Sequence, residues 1–178
     1  MFQTAAGVHL PFPEQIQEQY QQQGDNLTAN LSFEKLADFI HAFYAKLDEP
    51  LFLAIHPDAE ADEVWYLDNM TKKQLTTILD GYGELLYQDG LSAFAIGSLA
   101  TEEELFVQKY KVLSIYSPRS ARFAKLLEQY GAARTDHLVT PWDTFSKAHP
   151  GEAQRLEIAG QTVPDLVQEL CKIGMYKG

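Results

Sequence analysis

The chain has 178 residues, 46% of them hydrophobic and 12% aromatic, the length and composition of one ordinary globular domain with material for a sizeable core. Its formal net charge of -11 argues against nucleic-acid phosphate and anionic membrane surfaces as partners, because both repel an acidic protein. No stretch approaches the roughly 20 apolar residues of a membrane span, the first residues lack the basic and apolar regions of a signal peptide, and the lone Cys171 rules out an internal disulfide and suits a reducing, cytoplasmic setting.

Residues 1–30 read as an N-terminal arm or a short helix. Pro11 and Pro13 precede a glutamine-rich run in which only Ile16 and Tyr20 share a helical face, and Gly24 stops it. Residues 31–178 read as a single domain. Phe33, Leu36, Ala37, Ile40, Phe43, Tyr44 and Leu47 recur at steps of three and four, the stripe of a helix capped by Ser32 and ended before Pro50. Leu51 to Ile55 and Val64 to Leu67 then predict two strands of a hairpin with a long acidic connection. Thr71 and Gln74 form a capping-box pattern before Leu75, Ile78 and Leu79, and Gly81 and Gly83 are expected to close that helix.

The span from Glu84 to Tyr130 is the centre of the expected fold. Asp89-Gly90 stands between two apolar runs and predicts a tight hairpin, because a type I′ turn needs positive φ at both central residues. Leu105 to Tyr116 predicts one long strand. Ser117-Pro118 starts a helix whose stripe is Phe123, Leu126, Leu127 and Tyr130, stopped by Gly131. The tail predicts a strand over 137–140, a short helix over 142–148, a small hairpin about Ala159-Gly160 and a terminal helix over 164–173. These elements make an α+β fold, a mostly antiparallel meander sheet with helices packed on one face.

No motif assigns an activity, so function is read from the charge distribution. Residues 1–70 hold twelve acids and two bases, a balance of -10, whereas residues 71–178 hold thirteen acids and twelve bases, a balance of -1. The densest acidic segment, Asp58, Glu60, Asp62 and Glu63, runs directly into Trp65 and Tyr66. Carboxylates pair with lysine and arginine while rings add contact area and cation–π attraction. These six residues are therefore the expected partner-binding site of a non-enzymatic intracellular interaction protein, of inhibitor or immunity type, acting on a basic protein partner. No metal or cofactor is expected: the alternation Asp58, Glu60, Asp62 begins like a calcium loop, but Glu63 stands where that loop needs glycine and Asn69 where it needs glutamate.

Two other readings remain open. One is a small metal-dependent hydrolase, which requires His56, Asp58, Asp68 and His137 to converge. The other is a self-associating structural or regulatory domain, a homo-oligomer whose N-terminal arm rests on a neighbour. A secondary anion-binding candidate is Ser117, Arg119 and Arg122, where a helix start meets two guanidinium groups. Ser92 and Ser114 lie in expected strands, where serine faces solvent or a neighbour, and Cys171 lies on the terminal helix beside Leu170, where it reads as a small buried hydrophobe. Phe94, Phe106, Tyr110 and Tyr116 read as rings packed within the sheet core.

Overall fold

The computed structural model describes all of residues 1–178. In chain order the elements are β1 (Val8–His9), β2 (Gln19–Gln23), β3 (Asn26–Ala29), α1 (Phe33–Ala45), β4 (Leu51–His56), β5 (Trp65–Met70), α2 (Lys72–Gln88) and β6 (Ala93–Ser98). They continue with β7 (Glu103–Val107), β8 (Leu113–Tyr116), α3 (Ser120–Gln129), β9 (Ala133–Arg134), β10 (Glu152–Ala153), α4 (Val163–Cys171) and β11 (Tyr176–Lys177). Nine strands join in one sheet of order β11-β5-β4-β6-β7-β8-β3-β2-β9, antiparallel throughout except for the β2–β9 pair. The fold is α+β, as the pattern of elements predicts.

One face of this sheet is dictated by alternation. Leu51, Leu53 and Ile55, Phe94 and Ile96, Leu105 and Val107, and Leu113 and Ile115 are all buried. Residues two apart share a face of a strand, so these side chains form one apolar layer. The stripes of all four helices close over it: Phe39, Ile40 and Phe43 from α1, Leu75 and Leu86 from α2, Phe123 and Leu127 from α3, and Leu166 and Leu170 from α4 belong to the same core. β1 and β10 form a separate two-stranded ribbon, and Val8, Leu10, Ile16 and Tyr110 make a small second cluster beneath it.

Several expectations require correction. Residues 19–29 are neither arm nor helix but a hairpin of the main sheet, turned at Gly24 with φ of +61°. Ile16 and Tyr20 do share burial, but Tyr20 reaches the core by strand alternation, with Leu27 and Ala29 beside it. The Asp89-Gly90 hairpin does not exist. Glu84 to Gln88 continues α2, because Leu85 and Leu86 extend the stripe begun by Leu75, Ile78 and Leu79, and Gly81 and Gly83 are interior rather than terminal.

The meander therefore starts one element later, with β6 pairing β7 and β7 pairing β8. The long strand expected over 105–116 is interrupted at Tyr110 and Lys111, whose φ angles of 62° and 61° reverse the chain. Lys111 is buried by this turn, donates to the carbonyl of Leu86 over 2.9 Å, and burial pushes its ammonium down to about 8. In the tail, residues 137–140 are irregular, a single 3-10 turn over Pro141–Thr144 replaces the helix, and only the bridge Ile158 to Gln161 remains of the small hairpin.

Candidate functional site

The helices cover one face of the sheet and leave the other open. Strand register aligns Phe106, Ala95, Ala54 and Tyr66 in a row across β7, β6, β4 and β5, and Tyr176 on β11 extends it. Two alanines between two rings make a hollow. With strands about 4.8 Å apart, the walls stand roughly 14 Å from one another. The adjacent row is Glu104, Gly97 and Phe52. Glycine is needed there because a Cβ would fall 2.4 Å from the Glu103 carbonyl oxygen and 2.7 Å from the Phe52 ring, which lies across it. The resulting trough has a volume of ≈ 470 Å³, and Leu99, 73% exposed, stands at its rim.

Its electrostatics are one-sided. His56, Asp68 and Glu104 line it together with the phenols of Tyr66 and Tyr176, and no lysine or arginine does. Burial pushes the Glu104 carboxyl up and the His56 imidazole down, each toward its neutral form. Asp68 accepts the hydroxyl proton of Tyr176, and that hydrogen bond raises the phenol above its ordinary value. Glu104 forms neither a hydrogen bond nor an ion pair. The other half of the open face, across β8, β3 and β2, is polar: Gln21, Gln23, Asn26 and Thr28 line a shallow depression, and Gln108 bonds Ser114.

The expected partner site does not form one surface. Trp65 and Tyr66 are consecutive on a strand and so point to opposite faces. Trp65 lies opposite Ile55, half-buried against the core, with its indole N–H donating to Glu63 over 2.7 Å. Tyr66 lies opposite Ala54, in the trough. Asp58 accepts the backbone N–H of Glu60 at 2.9 Å, Glu60 pairs with Lys109, and Glu63 is 4.0 Å from Lys177. Asp62 is exposed. This acidic loop, joining β4 to β5, begins directly after His56, and none of its carboxylates lines the trough.

The four residues of the hydrolase reading do not meet. His56 and Asp68 line the trough, Asp58 turns into its own loop, and His137 follows β9 at the far edge of the sheet. No three His, Cys, Asp or Glu side chains are grouped to hold a metal ion. Ser117, Arg119 and Arg122 do bind a carboxylate, and it is the chain's own Glu103. Arg122 donates to both Glu103 oxygens at 2.5 and 2.6 Å, Arg119 at 3.0 Å and the Ser117 hydroxyl at 2.6 Å. Cys171 is half-buried at the end of α4, against the core.

Phe52, Ala54, Ala95, Glu104, Phe106 and Tyr176 are the site residues that sequence reasoning missed. Phe94 is a core ring as expected, but Phe106 faces the trough, Tyr116 is 42% exposed and Tyr110 belongs to the second cluster. One signal was available: Ala93, Ala95 and Gly97 place small residues at alternate positions, which marks a hollow on one face of a strand. No family model matches this chain, and neither does any curated protein or solved structure.

Proposed function

We propose that this is a non-enzymatic interaction protein that receives a basic, partly apolar segment of another protein on the open face of its sheet. The supporting observation is the trough: exposed aromatic and aliphatic surface whose charged groups are carboxylates without a lysine or arginine among them. Apolar surface left in water gains free energy when a partner covers it. Carboxylates at the same place favour cationic partners and reject acidic ones. Asp58 to Glu63 then serve as a rim that attracts the partner, while the anchor is the trough. An inhibitor or immunity-type role, neutralising a cationic effector, fits this reading, as does a cytoplasmic setting with Cys171 reduced. No helix is long and apolar enough to cross a membrane.

Random peptides displayed on phage test the reading. Ala54 forms the floor of the trough, so Ala54→Arg fills it and brings in a charge of the wrong sign. Peptides selected on the native protein are expected to combine lysine or arginine with aromatic or aliphatic residues and to lose binding to the variant. Equal recovery on both proteins, or enrichment without basic residues, overturns the proposal. A concentration-dependent dimer that Ala54→Arg abolishes in sedimentation assigns the face to self-association instead.

A further inference from the structure

Glu104 is unlike every other charged group on the open face. On β7 it is paired across to Gly97 on one side and to Tyr116 on the other, with Phe106 two residues along the same strand and face. Phe52 lies over Gly97. Three rings thus border a half-buried carboxylate that has no hydrogen bond or counter-ion, while its neighbour Glu103 holds two arginines. Asp68, the other carboxylate of the trough, is already occupied by the Tyr176 hydroxyl. His56 lies on the side of Phe106 away from Glu104, its ring 5.7 Å from that of Phe106.

We propose that the Phe52–Glu104–Phe106 end of the trough is a subsite for a guanidinium group, the arginine of a partner segment, with Glu104 as its counter-ion. This inference rests on the open face being the binding face. A guanidinium is planar and weakly hydrated, so it lies against aromatic rings while its edge gives two parallel hydrogen bonds to one carboxylate. An ammonium holds its water more strongly and has no face to stack, so it enters a half-apolar hollow at greater cost. Burial without a partner raises the carboxyl of Glu104, and an arriving cation removes that penalty.

Backbone amide shifts recorded during titration with N-acetyl-arginine amide, N-acetyl-lysine amide and N-acetyl-citrulline amide test the subsite on the full-length protein. Citrulline keeps the shape of arginine without its charge. The arginine compound is expected to move the amides of Gly97, Glu104 and Phe106 and to bind more tightly than the other two. Glu104→Gln, at a position with no partner to lose, is expected to fold normally and weaken arginine binding by about ten-fold or more. No movement of those amides, citrulline or lysine binding as tightly as arginine, or an unchanged affinity in Glu104→Gln overturns the inference. If peptides selected by the native protein still fail on Ala54→Arg after such a result, only the subsite is lost; if they also ignore Ala54→Arg, the binding face goes with it.

Discussion

Glu103 and Glu104 are adjacent on β7 and meet opposite environments. Burial alone would raise the Glu103 carboxyl, but hydrogen bonds from Arg122, Ser117 and Arg119 outweigh it and pull the group down to about 2. Its folded value lies below the ordinary 4.5, so between those two the unfolded chain takes up the proton more readily. The stability it contributes is complete above pH 4.5 and is lost as pH falls toward 2, amounting to about 3 kcal/mol. Glu103→Gln is expected to lose a similar amount at neutral pH, because it leaves Arg122 facing a buried amide, and to flatten this acid dependence. Urea unfolding of both chains from pH 7 to pH 2 measures it, and parallel curves would contradict the assignment. That Ser117, Arg119 and Arg122 gather their donors at one place was legible in the sequence. That Glu103 fills the site was not, because three successive glutamates, 102–104, carry no mark of which one strand alternation turns inward.

At the scale of elements, Asp89-Gly90 has the composition of a tight turn and serves as a junction. The Asp89 carboxylate, fully buried, accepts the amides of Leu91, Ser92 and Leu156 and the guanidinium of Arg155. Gly90 donates to the carbonyl of Gln154 at 3.0 Å, and Gln154 donates to that of Gly7 at 2.9 Å. Three distant segments are held together there by backbone contact, and a Cβ on Gly90 would lie 1.9 Å from the Gly7 carbonyl oxygen. Gly90→Ala is therefore expected to cost more than about 2 kcal/mol, read from chemical denaturation, by forcing the N-terminal segment off the sheet. A variant as stable as the native chain would show that the junction yields. The hairpin expectation failed because local turn chemistry is satisfied equally by a helix end that needs a close approach. The hairpin of β4 and β5 and the capping box of Thr71 and Gln74 were legible because their signals are local, and both are present.

Over the whole molecule, the acid excess of residues 1–70 is divided between internal pairs and free rim. Glu18 holds Lys35 and Glu60 holds Lys109, whereas Asp62 remains exposed in the loop that follows His56. Rim charges act chiefly on encounter, and buried contacts on residence. Glu60→Lys combined with Asp62→Lys is accordingly expected to slow association of a trough-selected basic peptide several-fold at low salt and to leave its dissociation rate nearly unchanged. Biosensor kinetics at two ionic strengths separate the two rates. A large change in dissociation would return the anchor to the acidic loop.

The sequence by itself determined the class of fold, the presence of four helices through their apolar stripes though not the length of α2, and the position of the acidic loop between two strands, because each depends on neighbours a few residues apart. It also carried the net negative charge, which is a sum over the chain and needs no geometry. Only the tertiary structure decided which face of the sheet stays bare. β4 reads Leu-Phe-Leu-Ala-Ile-His, apolar at nearly every position, so no alternation distinguishes Leu53 under the helices from Ala54 in the trough. The hollow itself arises from register, since Ala54 comes from β4 and Ala95 and Gly97 from β6, and they become a floor only when hydrogen bonding brings the two strands side by side.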